Sequence, residues 1–416
     1  MDFEYSPKVQ QLQRKLLDFM DNYVVPNIPL WRREVEAGHM HPPCMEDLKE
    51  LAKSEGLWNL FLPSLDADAP GQGLTNLEYA PLAEIMGRVH WAAEIFNCSA
   101  PDSGNIELLH MFGSAEQRRQ RLAPLLDGTI RSCFAMSEPD VASSDANNIQ
   151  ISIRRVGDDY VINGRKWFIS GASHPLCRFA IVMGVTDPDA DSHRRQSMVI
   201  VPFDTPGLKV VRDIPVMNHH FPGGHCELVF RDVRVPRSSL IQEEGSGFAI
   251  AQARLGPGRI HHCMRSIGQA ELALELMCER AAERRTFGRY LHQHGAVGDW
   301  IAQSRMEIEQ ARLLVLKTAW LIDLHGAKGA LREIAMIKAI VPRMQTAICE
   351  RAMQTFGAMG MSPDTPLAEL WTWGRVLRIA DGPDEVHLRT VAKLEMAAAG
   401  ERRGSTLPYM NTPELA

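Results

Sequence analysis

The spacing of apolar residues changes twice along the chain, and this limits the possible folds more than any other feature. From residue 6 to about 130, apolar side chains recur at helical spacing, as in Leu12 and Leu16. Between about 131 and 240 the period falls to two, and from about 245 the helical period returns. The order predicts helices, then a β insert, then a long helical bundle.

The β insert shows strand and turn signals close together. Gly157-Asp158-Asp159 turns the chain, and Asn163-Gly164 predicts a hairpin between Tyr160–Ile162 and Trp167–Ile169. Further strands are predicted over residues 180–185, 198–201 and 227–230. Their spacing favours a compact antiparallel barrel or sandwich.

The helical parts differ in length. Pro26 and Pro29 are expected to end the first helical pattern, and Pro342 to kink a helix over 334–353. A longer apolar face is formed by Val297, Ile301, Ile308, Ala311, Val315 and Ile322, which is typical of a bundle helix. The predicted domains are residues 1–131 (helical), 132–240 (β), 241–400 (four-helix bundle) and a tail over 401–416.

Charge and cysteine usage limit the functional class. The 416 residues carry a net charge of −6, which argues against a nucleic-acid partner. Eight cysteines are scattered without Cys-x-x-Cys spacing, and we find no metal-ligand spacing, no phosphate-binding loop and no NAD fingerprint. The chain has no run of 18 apolar residues and no basic, apolar leader. These features favour a cytoplasmic enzyme with no membrane partner and no metal.

Five motifs stand in one order along the chain, and together they carry a resemblance. They are Met136-Ser137-Glu138-Pro139, Ser143-Ser144-Asp145, residues 163–170 (NGRKWFIS), residues 284–288 (RRTFG) and residues 354–360 (QTFGAMG). This pattern resembles the acyl-CoA dehydrogenase family, and the similarity extends over residues 5 to 400. Leu255-Gly256-Pro257-Gly258-Arg259 and residues 380–385 (ADGPDE) resemble the branch of acyl-CoA dehydrogenase 10 and 11 type proteins.

The resemblance implies FAD lying between the β domain and the bundle. Met136 and Ser137 match the segment facing the pyrimidine side of the flavin ring, and Ser170 matches a threonine that hydrogen-bonds near N5. Phe168 stands where the family usually stacks a tryptophan on the ring. Phe134 and Ser143 are assigned to the cofactor as well, and Ser144 to the substrate. Without the neighbouring motifs, 167–169 would be interpreted as strand core.

Two later segments resemble those that reach the FAD of a neighbouring subunit. They contribute Arg284, Thr286, Phe287, Gln354, Gly357 and Ala358. An arginine fork suits a diphosphate, and a glycine-rich turn lets backbone approach the cofactor. Alternatively, the arginines are part of a solvated charge run at a helix end, and the glycines mark a helix stop and turn. Gly295 replaces a glutamine that many relatives direct toward the cofactor, so we expect the adenine end to be held differently.

The catalytic base is expected near the C-terminus. Removing the α proton of an acyl thioester needs a base stronger than a solvated carboxylate, which burial provides. The family's usual base position aligns with Asp381, followed by Gly382; an alternative position falls at Gly258, which carries no base. Gly382 and Arg259 are assigned to the substrate. The competing interpretation is that residues 381–385 form a helix start, with acids complementing the dipole.

The implied reaction is α,β-oxidation of an acyl-CoA to the trans-2-enoyl-CoA, with the hydride passing to flavin N5. An electron-transfer flavoprotein is the expected acceptor, and a homodimer or homotetramer the expected assembly. Three alternatives remain open. They are a nitroalkane oxidase, which shares the fold and uses an Asp base, an enzyme for phosphorylated 4-hydroxyacyl-CoA with a separate kinase, and a DNA-binding member of the superfamily.

Overall fold

The N-terminal helices alternate α-helical and wider π-helical turns. The computed structural model describes residues 4–63, 71–217, 219–402 and 404–410, apart from the side chains of Leu255, Pro257 and Leu407. The helices are α1 (Pro7–Phe19), α2 (Val25–Glu36), α3 (Cys44–Ser54), α4 (Asn76–Gly87), α5 (Ala92–Ile95), α6 (Asp102–Phe112), α7 (Ala115–Gln117) and α8 (Ala123–Asp127). Their apolar faces form the core of this part, with Leu16, Phe96 and Ile106 fully buried.

The prolines near the N-terminus do not end the first helical pattern, contrary to the sequence prediction. A π-helical segment, Met20–Val24, joins α1 to α2, and α2 contains both Pro26 and Pro29. A second π segment, Arg118–Leu122, likewise precedes Pro124 at the start of α8. The Val25 N–H donates to the Met20 carbonyl, five residues earlier, so a wider π turn carries the helical chain from α1 into the proline-containing α2.

The middle of the chain forms a mixed sheet. Its strands are β1 (Arg131–Ala135), β2 (Ser152–Val156), β3 (Asp159–Ser170), β4 (Cys177–Val185), β5 (Gln196–Pro202), β6 (Leu208–Asp213) and β7 (His225–Pro236). The strand order is β1-β4-β2-β3-β7-β6, and β5 pairs with β4. The predicted order of helices, sheet and helices is therefore confirmed, but β4 pairs in parallel with β1 and β2, which an antiparallel expectation did not include.

The hairpin predicted at Asn163-Gly164 is wrong. Both residues lie inside β3, where its register against β7 shifts, and the hairpin turn falls at Gly157 instead. Asn163 exchanges two hydrogen bonds with Asp232, at 2.8 and 3.0 Å. A Cβ on Gly164 would lie 2.6 Å from the Ile151 side chain, and the residue has a φ of +146°. The glycine therefore serves a bulge and a close approach rather than a turn.

The C-terminal part is helical. It contains α9 (Gly247–Glu283), α10 (Gly295–Gly329), α11 (Leu331–Phe356), α12 (Leu367–Leu377) and α13 (Asp384–Glu401), with a small hairpin of β8 (Arg285–Thr286) and β9 (Arg289–Tyr290). The predicted face of α10 is confirmed, since five of its six apolar residues are buried. Helix α11 continues through Pro342, and the non-helical residue recorded in this region is Gly326, in α10.

The chain divides into two units, Met1–Leu272 and Ala273–Ala416. The predicted domain boundaries are finer than this division and stay predictions. Part of the predicted tail, including residues 411–416, lies outside the described residues. Within the described ranges, no helix combines the length and the apolar content that crossing a bilayer requires.

Candidate active site

The predicted site residues form two sets, one in each unit. The first unit holds Phe134, Met136, Ser137, Ser143, Ser144, Phe168, Ser170 and Arg259. The second holds Arg284, Thr286, Phe287, Gln354, Gly357, Ala358, Asp381 and Gly382.

In the first unit, the segment after β1 is tied to the end of β3. The Lys166 ammonium donates to the Met136 carbonyl at 2.6 Å, and the Trp167 N–H donates to the Ser137 carbonyl at 3.0 Å. The structure thus brings Met136 and Ser137 next to Trp167 and Phe168 of β3. Motifs 30 residues apart in sequence form one local surface.

A buried ion pair supports this surface. Glu138 accepts from Lys166 at 2.9 Å and from the N–H groups of Gln150 and Ile151 at 2.8 and 2.9 Å. Lys166 is fully buried and Glu138 nearly so. Burial lowers the pKa of Lys166 to about 8, although the Glu138 carboxylate opposes the shift. Ser143 contributes by accepting from the Glu138 N–H at 2.8 Å, so its side chain orders the loop.

Phe168 has an unusual backbone conformation. Its φ is +50°, at the register shift between Lys166 and Ile169, and its side chain is 46% exposed. A left-handed φ is uncommon for an aromatic residue and persists only when neighbouring contacts enforce it. The Trp167 ring packs edge-on at 5.0 Å. The ring of Phe168 is therefore displayed at the surface rather than packed in the core, contrary to the strand-core interpretation.

Ser170 is hydrogen-bonded to a histidine that the sequence analysis did not identify. Its hydroxyl lies 2.9 Å from Nδ1 of His225, the residue directly opposite it in the β3–β7 pairing. The main-chain N–H of His225 donates to Asp213 at 2.7 Å. Burial lowers the pKa of His225, which Asp213 only partly offsets, so the ring is neutral at neutral pH.

Phe134 is covered by an arginine. The Arg254 guanidinium lies 4.0 Å from the centroid of the Phe134 ring, a cation–π distance, and donates to Asn105 at 3.0 Å. The Glu107 carboxyl is buried close by, and neither of its oxygens has a hydrogen-bond partner among the described residues. Burial raises the pKa of Glu107 to about 8, and Arg254 opposes the shift.

Two predicted substrate residues of this unit lie apart from these contacts. Ser144 is exposed in the loop before β2. Arg259 is buried on α9, and its neighbour His261 is packed edge-on between Phe61 and Tyr79. The His261 ring thus belongs to the buried core of this unit.

Three side chains of metal-ligand type meet elsewhere in the first unit. Nitrogen atoms of His41 and His174 and a carboxylate oxygen of Glu94 lie within 4.8 Å of one another. His174 Nδ1 accepts from the Leu176 N–H, so the neutral ring carries its proton on Nε2, which faces His41 at 3.0 Å. Lys49 and Arg131 both pair with Glu94. A metal ion needs unprotonated nitrogen ligands, but His174 Nε2 carries a proton and Glu94 is already paired with the cations Lys49 and Arg131. The cluster therefore suits a chain of hydrogen bonds better than a metal ion.

In the second unit, the Arg284 segment forms an exposed hairpin. The Leu291 N–H donates to the Arg284 carbonyl at 2.9 Å, and β8 pairs with β9. Phe287 occupies the tip, with a φ of +47° and 94% of its surface exposed. Arg284 is exposed and Thr286 half-buried.

The Gln354 segment ends α11. Gly357 has a φ of +68° at the helix C-terminus, and Gln354, Gly357 and Ala358 are all exposed. A cleft of about 300 Å³ lies beside it, lined by Leu276, Glu279, Arg280, Glu283, Phe356, Met359, Asp364, Thr365 and Pro366. Its lining contains three carboxylates and one guanidinium. Because this negative charge would repel phosphate groups, the cleft is unsuited to a diphosphate.

Asp381 lies in a tight turn between α12 and α13. Both Asp381 and Gly382 have positive φ, +55° and +100°, and Asp381 is half-buried. The buried Lys338 donates to the carbonyls of Leu377 and Gly382. The N-cap of α13 is Pro383, so Asp381 is not the capping residue. Asp384 instead begins the helix, as predicted. Burial raises its pKa, but hydrogen bonds from Arg343 and Arg378 outweigh that effect and lower it.

Sequence comparison decides the family. The models for the N-terminal, middle and C-terminal domains of acyl-CoA dehydrogenase match residues 6–129, 133–233 and 245–395. The chain belongs to the acyl-CoA dehydrogenase family. It is an oxidoreductase acting on acyl-CoA, and its cofactor is FAD.

Individual relatives support the branch. This acyl-CoA dehydrogenase is 56% identical to probable acyl-CoA dehydrogenase FadE2 of Mycobacterium tuberculosis, over 95% of this chain and 97% of that protein. It is 53% identical to acyl-CoA dehydrogenase family member 10 of Mus musculus, over 97% of this chain but only 38% of that protein. A solved acyl-CoA dehydrogenase-like structure from Mycobacterium abscessus has a TM-score of 0.92 and 48% identity, covering 95% of this chain and 100% of that one.

The residues of the first unit fit a flavin ring. Three features of this unit suit the ring: the exposed aromatic ring of Phe168, the hydroxyl of Ser170 and the backbone edge of Met136-Ser137. His225 Nε2 is buried without a hydrogen-bond partner among the described residues. Such a surface offers a flat apolar wall and polar groups at its rim, which an isoalloxazine needs.

The supporting residues Glu138, Arg254, Glu107 and His225 escaped sequence reasoning. Glu138 belonged to a recognised motif, but its partner Lys166 is 28 residues away. His225 could have been found only from the β3–β7 register, which pairs Ser170 with it across 55 residues. No motif or spacing near Arg254 or Glu107 in the sequence indicates that these residues lie beside Phe134.

Proposed function

We propose that this acyl-CoA dehydrogenase oxidises an acyl-CoA to the trans-2-enoyl-CoA, with Asp381 as the base that removes the α proton. The supporting observation is the turn that holds Asp381, where two successive residues adopt positive φ and Lys338 binds the carbonyls around them. Strained backbone held by buried contacts is a feature of functional sites.

The turn performs two tasks in this proposal. The Asp381 carboxylate takes the α proton, and its main-chain N–H donates to the thioester carbonyl, which stabilises the negative charge that develops there. Both groups would come from one short segment, in which Asp381 and Gly382 have positive φ. Asp is one methylene shorter than Glu, so the substrate must approach this backbone closely.

The first unit binds the cofactor in this proposal. Phe168 would cover the ring, Met136 and Ser137 would face its pyrimidine side, and Ser170 would bind near N5. When bound, FAD supplies the acceptor for the hydride that leaves Cβ. The residues that would contact the cofactor of a second subunit are Arg284, Thr286, Phe287, Gln354, Gly357 and Ala358. This contact would account for the exposure of all of them except Thr286, which is half-buried.

A second copy of this chain is the partner that we propose for α10. Four apolar residues on one face of this helix are each 45% to 57% exposed: Met306, Leu313, Trp320 and Leu324. If two copies of α10 cross antiparallel at Leu313, Met306 faces Trp320, seven residues to either side. Glu309 then faces Lys317, four residues to either side, so the charges complement each other.

The self-pairing is testable on its own. Leu313→Glu should shift the purified protein to a smaller species in sedimentation velocity, because a carboxylate replaces the central contact. Gln11→Glu, which adds the same charge at an exposed position of α1, should leave the size unchanged. A monomeric parent protein would contradict the proposal.

An electron-transfer flavoprotein as acceptor and a cytoplasmic location complete the proposal. The eight cysteines are free and seven are buried, as expected in a reducing compartment.

The decisive experiment is anaerobic titration of the yellow holoenzyme with a panel of acyl-CoA thioesters. Bleaching of the flavin by at least one, with a trans-2-enoyl-CoA product, is expected. Asp381→Asn should keep its FAD and fold yet lose about 10²- to 10⁴-fold in reduction rate. A flavin that stays oxidised with every thioester but consumes oxygen with nitroethane would indicate a nitroalkane oxidase. Reduction only by phosphorylated 4-hydroxyacyl-CoA would indicate the kinase-dependent alternative.

A further inference from the structure

The pairing of Ser170 with His225 is the one polar contact that the His225 ring makes among the described residues. The hydroxyl and Nδ1 are 2.9 Å apart, and the Nε2 atom is buried without a hydrogen-bond partner there. The ring also contacts Phe221 edge-on at 5.9 Å. Among the described residues, the hydrogen bonding of the ring is therefore directed at Ser170, while Asp213 acts on it through its charge.

The backbone around this pair is fixed from both strands. Ser170 and His225 are directly paired in the β3–β7 ladder, and the Gly171 N–H donates to the Gly224 carbonyl at 3.0 Å. Asp213 on β6 binds the His225 main-chain N–H at 2.7 Å. The main chains of Ser170 and His225 are consequently held opposite each other, which keeps the two side chains within hydrogen-bond reach.

The proton distribution follows from the burial of Nε2. A neutral imidazole carries one N–H, and its position decides which nitrogen donates. An N–H on buried Nε2 would have no acceptor among the described residues, and unpaired buried N–H groups are rarer than unpaired acceptors. The proton therefore lies on Nδ1, which donates to the Ser170 oxygen.

This arrangement determines the direction of the serine hydroxyl. Because the Ser170 oxygen accepts from His225, its own hydrogen is available to an acceptor outside the sheet. We propose that His225 is a positioning residue that holds the Ser170 hydroxyl as a hydrogen-bond donor toward flavin N5. The inference rests on the proposed function, which places Ser170 at N5.

The test compares FAD-loaded variants by the visible spectrum and midpoint potential of the bound flavin. Ser170→Ala and His225→Leu should shift both readouts in the same direction, and the double variant should shift them no further than Ser170→Ala. His225→Asn keeps an amide near the Nδ1 position and should stay close to the parent protein. His225→Gln moves the amide toward the Nε2 position and should resemble Ser170→Ala.

A matched control is available in the same region. His219 is exposed, and its recorded hydrogen bonds to Val216 are between main-chain atoms, so His219→Asn should change neither readout. If His225→Leu does not fold, the contrast between His225→Asn and His225→Gln still decides the question.

The outcomes separate this inference from the proposed function. The role of His225 would be overturned if the shifts of the two single variants added up in the double variant. It would also be overturned if Ser170→Ala shifted the spectrum and potential and His225→Leu did not. Either result would leave the contact between Ser170 and the flavin intact. A silent Ser170→Ala would overturn both the positioning role and the placement of Ser170 at N5. Failure of every acyl-CoA to bleach the parent flavin would refute the proposed reaction, whereas the spectral coupling would still decide the role of His225.

Discussion

The candidate residues on the sheet and those on the C-terminal helices are held in different ways. Around Ser137 and Ser170, a buried ion pair, a cross-strand histidine and backbone hydrogen bonds fix the groups inside one unit. Phe287, by contrast, is 94% exposed at a hairpin tip, and Arg284 and Gly357 are exposed as well. Asp381 is intermediate, half-buried in a turn that Lys338 supports.

The difference indicates two modes of site construction. The groups on the sheet surface are held by contacts within the protein, so binding there requires little further ordering. In the exposed hairpin the Arg285 guanidinium lies 4.6 Å from the centroid of the Tyr290 ring, whereas Phe287 at the tip is almost fully exposed. In the proposed function, the cofactor of a second copy covers the exposed residues of this hairpin and of the helix end. The following substitutions test that contrast.

The largest expected effect comes from breaking the buried pair on the sheet. Lys166→Met leaves the Glu138 carboxylate buried with only the N–H donors of Gln150 and Ile151. Removing one partner of a buried pair costs about 3–5 kcal/mol. The free energy of unfolding, measured by urea titration, should fall by that order.

The matched control uses a surface pair. Arg194 and Glu243 are both exposed and lie 3.4 Å apart, so Glu243→Gln should change the free energy of unfolding by less than about 1 kcal/mol. If Lys166→Met and Glu243→Gln lowered the free energy of unfolding equally, the buried pair would stabilise the sheet surface no more than an exposed pair does.

Glu107→Gln tests the buried carboxyl beside Arg254 through its pH dependence. The folded protein holds the pKa of Glu107 at about 8, above its ordinary value of 4.5. Between these values the folded state binds more protons than the unfolded state, so the parent loses stability as pH rises through that window. The amide does not titrate. The advantage of the variant over the parent should grow between pH 5 and pH 8, by at most about 1.4 kcal/mol per pH unit.

Parallel urea titrations at pH 5, 6.5 and 8 provide the measurement. Glu385→Gln, at an exposed position in the first turn of α13, serves as the control and should show no comparable trend. A constant difference between Glu107→Gln and the parent across this range would mean that Glu107 is ionised in the folded protein.

The sequence predicted what depends on local pattern and missed what depends on long-range register. The buried face of α10 followed from the spacing of residues such as Val297 and Ile308. Asn163-Gly164 misled because the same dipeptide that favours a two-residue turn also suits a bulge, and the deciding contacts, with Asp232 and Ile151, come from other strands. Similarly, motif recognition located Ser170, but only the pairing with β7 placed His225 beside it.

Arg284→Ala should have the smallest effect on the folded chain and separates the two modes most directly. The Arg284 side chain is exposed, and its recorded hydrogen bonds are those of its main chain, to Arg280 and Leu291. The free energy of unfolding of the FAD-free protein should therefore change by no more than about 0.5 kcal/mol. FAD affinity should fall by about tenfold or more, since a hydrogen bond to a charged group contributes about 1.5–3 kcal/mol. Equilibrium dialysis gives the affinity, and Arg289→Ala on the facing strand β9 gives the control for charge. If Arg284→Ala destabilised the FAD-free protein as strongly as it weakened FAD binding, the hairpin would be a structural element of its own unit, and its exposure would need a different explanation.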